Sequence, residues 1–157
     1  MAIICTRMNK YDIDSFIECA SRFIKESRYE CLEPNMDQYR SIILKALKRK
    51  GWVSILVAKD DKRVIGYAIL SICLDYTAKP FGDMYQFYVL PEYRGTKVGR
   101  TLAGMVAEQF DLWGCQISHV CADAGMDEDT TMHLFHNLFA KKGYKRTGII
   151  MTRHMGG

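Results

Sequence analysis

The sequence predicts an α/β (α+β) fold: a mixed, mostly antiparallel sheet with helices on both faces, in the order β-α-α-β-β-β-α-β-α-β. Three observations carry that reading. Strand-like runs in the middle of the chain follow one another closely enough to form hairpins. A strand–helix–strand unit comes next, and such a unit needs a crossover helix and a parallel neighbour. The whole runs for 157 residues without a linker, repeat or low-complexity stretch, which fits one domain over residues 1–157.

Residues 2–8 alternate weakly and read as a short strand. Ile13, Phe16, Ile17, Ala20, Phe23 and Ile24 recur at helical spacing, with Asp12 placed to cap the helix. A loop is expected around Glu30 to Pro34. Met36, Tyr39, Ile43, Ala46 and Leu47 form a second amphipathic stripe, ended by Gly51. Trp52 to Ala58 and Val64 to Leu74 read as two strands of a hairpin, turned by Lys59-Asp60-Asp61-Lys62. Pro80-Phe81-Gly82 breaks the chain before a strand from Met84 to Leu90. Val98, Leu102, Met105, Val106 and Trp113 line a third helix. Ile117 to Ala122 is a further strand. Met132, Phe135, Leu138 and Phe139 mark a fourth helix that Gly143 ends, and Lys145 to Arg153 is the final strand.

Apolar residues make up 48% of the chain, enough to bury a sizeable core. No apolar run approaches the length of a membrane span. The first residues lack the layout of a signal peptide, so a cytoplasmic location is expected, with no membrane partner. Six cysteines do not make a disulfide framework: Cys5, Cys73 and Cys121 fall in strand-like runs and Cys19 in a helical pattern. They read as mostly buried, free thiols. No C-x-x-C pair is present, and no metal is expected. The formal net charge of +4 is small and scattered, which disfavours a nucleic-acid partner. The dense run Lys45 to Lys50 reads as the solvated end of a helix.

The chemistry concentrates in Tyr88-Val89-Leu90-Pro91-Glu92-Tyr93-Arg94-Gly95-Thr96-Lys97-Val98-Gly99-Arg100-Thr101-Leu102. A strand enters a turn rich in Gly and basic residues, and the turn opens a helix. The first amides of a helix have no carbonyl to bind, and the helix dipole adds partial positive charge there. An anion site results, suited to a pyrophosphate. No P-loop and no Rossmann glycine fingerprint is present.

This segment resembles the acyl-CoA-binding motif of the GNAT (Gcn5-related N-acetyltransferase) superfamily, through Val89, Pro91, Tyr93, Arg94, Gly95, Val98 and Gly99. Lys97 departs from it, standing where the family has the first glycine of a pair. The element order is also that of the GNAT fold. The resemblance implies an N-acyltransferase that uses acetyl-CoA as cosubstrate and takes an amine of a small molecule or protein as acceptor. It implies a β-bulge before the motif, main-chain contacts to pantetheine from Phe87, Tyr88 and Val89, and a pyrophosphate held by Gly95, Thr96, Lys97, Val98, Gly99 and Arg100. The side chains of Arg94, Lys97 or Arg100 are the candidates for the 3′-phosphate. Many relatives are dimers, so a homodimer is one expectation.

The family's usual acid is a tyrosine four residues before the glycine that ends the last helix. Here Phe139 holds that place, and Tyr144, His133 and His136 are the nearby alternatives. Three residues are candidate bases: Asp83, which opens the strand before the bulge, His119 on the next strand, and Asp123 at that strand's end. Asp83 has a second reading as a cap of the turn after Gly82. Glu30, Glu33 and the acidic run Asp123 to Asp129 are candidates to attract a cationic acceptor, with helix capping as the alternative for the run. A CoA-binding module without catalysis, suggested by Phe139, and an enzyme that modifies a macromolecule are the rival functions.

Overall fold

The computed structural model describes residues 3–49, 51–74, 79–121 and 135–145, with Arg28 as backbone alone. Five strands form one sheet in chain order: β1 (Ile3–Arg7), β2 (Val53–Asp60), β3 (Arg63–Cys73), β4 (Phe81–Val89) and β5 (Ile117–Val120). Neighbours from β1 to β4 pair antiparallel, and β5 lies parallel to β4. Helices α1 (Ile13–Glu26) and α2 (Met36–Lys48) come between β1 and β2, and α3 (Lys97–Leu112) crosses from β4 to β5. A fourth helix, α4, covers residues 135–140. No helix among the described residues is long and apolar enough to cross a membrane. The expected final strand lies outside the described residues, apart from Lys145.

α1 and α2 cover one face of the sheet. Phe16, Cys19, Ala20 and Phe23 of α1 are buried, and their spacing puts them on one stripe. Phe16 meets Tyr67 of β3 at 4.8 Å and Phe23 meets Tyr88 of β4 at 5.5 Å, both edge-on, the geometry that aromatic quadrupoles favour. α3 covers the other face with Val98, Leu102, Ala103, Val106 and Phe110. Phe139 of α4 joins it there, 5.7 Å from Phe87.

Several local expectations change. Asp12 makes no capping bond to α1. It belongs to a 3-10 turn, Lys10–Asp12, whose helical dihedrals aim its carboxylate backwards. There it accepts from the Asn9 N–H at 3.0 Å and pairs with Lys59 at 3.0 Å. A 3-10 turn, Arg28–Leu32, occupies most of the expected loop before α2. Asn35 then caps α2, accepting from the Gln38 N–H at 2.9 Å. The β2–β3 turn is only Asp61-Lys62, because Asp60 already pairs with Arg63. Asp61 reaches φ +54°, a conformation that Asp tolerates and a tight hairpin requires. The six cysteines were expected to be mostly buried, but Cys19 alone among them is buried and Cys31 is exposed. Burial pushes the Cys19 thiol up to about 12. Lys45, Lys48 and Arg49 are exposed at the end of α2.

β4 also begins earlier than expected, at Phe81 instead of Met84. Gly82 is therefore a strand residue, and the reason is steric. A Cβ at Gly82 would stand 2.3 Å from the ring of Phe110, which is itself only 2% exposed. Phe110 fills the space that a side chain would need. Gly82→Ala is expected to lower stability by about 1–3 kcal/mol through overpacking. Urea unfolding measures this, and an unchanged midpoint would mean that Phe110 has room to move.

Candidate active site

β4 is the strand on which the site is built. Its pairing with β3 slips by one residue, since Leu70 faces Met84 but Ile69 faces Gln86. Tyr85 is the extra residue of a β-bulge and points out, 58% exposed. A bulge rotates every residue after it. β5 pairs with β4 only from Phe81 to Met84. Beyond the bulge, the outer edge of β4 has no strand partner among the described residues. Leu90 donates its N–H to Ile65 on β3 at 2.9 Å. Main-chain groups alternate along a strand, so Tyr88 also serves β3, while Phe87 and Val89 point to the open edge. Of the three residues expected to offer main-chain contacts, Phe87 and Val89 face that edge and Tyr88 faces β3.

The open edge leads into the start of α3. Pro91–Tyr93 form a 3-10 turn, and Gly95 takes φ +77°, a conformation that favours glycine, with nothing within 4 Å of where a Cβ would stand. Thr96 caps α3: its hydroxyl accepts from the Val98 N–H at 3.3 Å and donates to the Tyr93 carbonyl at 2.6 Å. The Val98 amide is therefore taken, and its side chain lies wholly in the core. Lys97 is the first residue of α3 and has no positive φ. A lysine there leaves the turn unstrained, and its amide, like that of Gly99, starts the helix without a helical acceptor. A Cβ on Gly99 would meet only Leu138, at 3.7 Å.

Of the three basic side chains in the turn, Arg94 is engaged internally. Its Nε donates to the Val89 carbonyl at 2.9 Å and its Nη2 to Glu26 at 2.6 Å. Its guanidinium lies 5.4 Å over the Tyr88 ring. The Tyr88 hydroxyl also donates to Glu26, at 2.8 Å. Lys97 and Arg100 are exposed and make no ion pair among the described residues.

The candidate bases partly converge. Asp83 is the third residue of β4, not a turn cap, and stands opposite Ser71 on β3 and His119 on β5. Serine, aspartate and histidine thus form one row across three strands, on the face of α1 and α2. The Ser71 hydroxyl is buried and has no hydrogen-bond partner among the described residues. Burial pushes the Asp83 carboxyl above its ordinary value, while His119 and a hydrogen bond with the Met84 backbone pull it back. Asp123 and His133 lie outside the described residues, and His136 is exposed.

Gln86 lies past the bulge on the same face, and sequence reasoning did not single it out. The Tyr39 hydroxyl of α2 and the Tyr67 hydroxyl of β3 both donate to its Oε1, at 2.9 and 3.2 Å. Beside Tyr39, a groove of ≈ 230 Å³ opens between α1 and α2, lined by Ile24, Pro34, Asn35, Met36 and Ile42. Glu30 and Glu33 are exposed. On the opposite face, Phe139 is 2% exposed and offers no proton. The Tyr144 hydroxyl lies 2.8 Å from that of Ser118, and its ring meets Phe139 at 5.4 Å. Burial raises that phenol, with the Ser118 hydrogen bond opposing. Among the described residues no three His, Cys, Asp or Glu side chains gather to hold a metal.

A family model described as "Acetyltransferase (GNAT) family" matches residues 15–147. The chain belongs to the acetyltransferase (GNAT) family. Solved structures agree on the fold. AAC(6')-Iy, in complex with a bisubstrate analog, CoA-S-monomethyl-acetylneamine, is 19% identical with TM-score 0.74, and each chain covers all of the other. Glucosamine-6-phosphate N-acetyltransferase from Arabidopsis thaliana is 12% identical with TM-score 0.72, covering 99% of this chain and 100% of its own. An acetyltransferase of Trypanosoma brucei is 16% identical with TM-score 0.71, covering 98% of this chain and 100% of its own. No curated protein sequence matches the chain.

The raised Asp83 carboxyl has a consequence for stability. The folded chain holds that proton more tightly than the unfolded one, so stability is withdrawn as pH climbs above the ordinary value of 3.8. Asp83→Asn is expected to raise the urea midpoint at neutral pH and to leave it unchanged at pH below that value. A variant that gains nothing at neutral pH would show that the carboxylate is not penalised by burial.

Proposed function

We propose that this protein moves an acyl group, most simply acetyl, from acetyl-CoA to the primary amine of a small molecule or a protein. One observation carries the reading: the open edge of β4 beyond the bulge runs directly into the start of α3. Pantetheine is an extended chain with amide groups, and Phe87 and Val89 are placed to bond it as an added strand would be bonded. The amides of Gly95, Lys97 and Gly99 suit the pyrophosphate, and Lys97 and Arg100 are the free cations for the remaining phosphate. The fit is made by main-chain geometry, so the lysine in the motif does not disturb it. Bound there, acetyl-CoA supplies an activated thioester at the bulge.

The amine arrives protonated and attacks only as the neutral base. Asp83 and His119, side by side, are the groups proposed to take that proton. The raised Asp83 carboxyl is the stronger base for its burial. As the carbon–nitrogen bond forms, the carbon–sulfur bond breaks. The nitrogen sheds a further proton as the amide forms, and that proton reaches the departing thiolate through water, because Phe139 has none to give. One structural neighbour is named a glucosamine-6-phosphate N-acetyltransferase and another holds the bisubstrate analog CoA-S-monomethyl-acetylneamine, which supports the same acceptor class here. The absence of a tyrosine at position 139 also favours a second reading, CoA binding without turnover.

A thermal shift with acetyl-CoA, CoA and ATP, followed by thiol release over a panel of amines, separates these readings. Both CoA forms are expected to raise the melting point by mass action, and ATP is not. Gly99→Glu is expected to abolish the CoA shift by placing a negative charge at the pyrophosphate turn while leaving the fold intact. Asp83→Ala is expected to lower amine-dependent thiol release by about 10²-fold, the usual scale of a lost general base. Stabilisation by CoA with no thiol release from any amine would establish the binding module instead. No shift with either CoA form would end the proposal.

A further inference from the structure

Gln86 is fixed in a way that leaves one of its groups over. Tyr67 is fully buried, and among the described residues its hydroxyl has one acceptor within reach, Gln86 Oε1 at 3.2 Å. A buried hydroxyl must donate somewhere, so the amide oxygen, not the nitrogen, faces it. Tyr39 donates to the same oxygen at 2.9 Å. Burial raises both phenols well above their ordinary values, which keeps them donors at any working pH. The side chain is thus held by its oxygen, and its Nε2 points the other way. That nitrogen has no partner among the described residues and is not among the sealed polar atoms. It is a donor left over, on a side chain that two hydroxyls hold by its oxygen.

The bulge decides where this donor stands. Three residues apart on a regular strand, Asp83 and Gln86 would face opposite sides of the sheet. The extra residue, Tyr85, turns Gln86 back to the face of Asp83. Their partners, Ser71 and Ile69, lie two residues apart on β3, so the two side chains rise roughly 7 Å apart along one wall. Asp83 is the carboxylate that β4 contributes to this wall, and its charge disfavours an anion at the donor. A neutral oxygen suits it.

We propose that Gln86 Nε2 donates a hydrogen bond to a hydroxyl or ether oxygen of the acceptor, and so selects amines that carry such an oxygen across a short rigid spacer. Tyr39 and Tyr67 are positioning residues for it. The inference rests on the acetyl-transfer reading and names the acceptor class within it.

The test compares trans-4-aminocyclohexanol with cyclohexylamine, which differ by one hydroxyl, in acetyl-CoA-dependent thiol release. The wild type is expected to prefer the hydroxylated amine by about tenfold or more in kcat/KM, the penalty of leaving a site's donor unpaired. Gln86→Leu is expected to erase that preference, mainly through KM, with the CoA-induced thermal shift unchanged. Gln86→Glu separates recognition from support: a glutamate still accepts from both tyrosines but has no donor, so the preference is expected to vanish there too. Tyr39→Phe, which frees the amide to turn, is expected to weaken it. A preference that survives in Gln86→Glu overturns the proposal. So does a wild type that uses both amines equally or neither. Failure of the underlying reading shows separately, as the lack of any shift with acetyl-CoA.

Discussion

The site depends on one main-chain constraint: β4 must satisfy β3 along its whole length while satisfying β5 along only part of it. The parallel pairing from Phe81 to Met84 uses the first half of the outer edge. The bulge at Tyr85 ends that pairing by turning the strand. The backbone beyond the bulge is extended, and among the described residues it has no strand partner on its outer side, where the Val89 carbonyl accepts from Arg94. Buried backbone normally finds partners within the fold, and an edge without a strand partner among the described residues, beside a helix N-terminus, is why the cosubstrate is proposed there. The same single residue reverses the phase of the side chains. It brings Asp83, Gln86 and the tyrosines of α2 and β3 onto one wall, and sends Phe87 to the opposite side against α4.

The phosphate turn is held from the other direction. Glu26, the last residue of α1, accepts from both Tyr88 and Arg94, and Arg94 closes back on the Val89 carbonyl. This partly exposed cluster links the first helix to the strand and to the turn. Surface ion pairs contribute little by themselves. Here the hydrogen bond to the backbone and the stacking on Tyr88 give the arginine a fixed geometry, and that is what a turn of a few residues needs.

The turn into α3 was legible in the sequence because glycines, basic residues and a helix start at fixed spacing are a local pattern. The helices were legible for the same reason: apolar stripes on α1 and α3 repeat within a few residues. The arrangement of the wall was not. Asp83 and His119 are adjacent only through a register across a parallel crossover, which no window of residues records. The bulge carries no glycine to announce it, since Tyr85 is an ordinary strand residue that happens to be extra. Gln86 did not stand out in the sequence, because its meaning comes from two hydroxyls distant along the chain. Gly82 misled for a different reason. It reads as punctuation, yet it is a strand residue made small by the ring of Phe110.

An exposed strand edge is also a hazard, because another chain can pair with it and begin an aggregate. This edge has no strand over it among the described residues, yet it is protected. It is short, running from the bulge to Val89, and twisted by the bulge at its start. Pro91 lies just past its end and has no N–H to give. The Arg94 guanidinium already occupies the Val89 carbonyl. An incoming strand would find its hydrogen-bond ladder broken within two rungs. The arginine of the motif thereby acts as a gatekeeper against self-association, guarding solubility at the point where the fold is left incomplete.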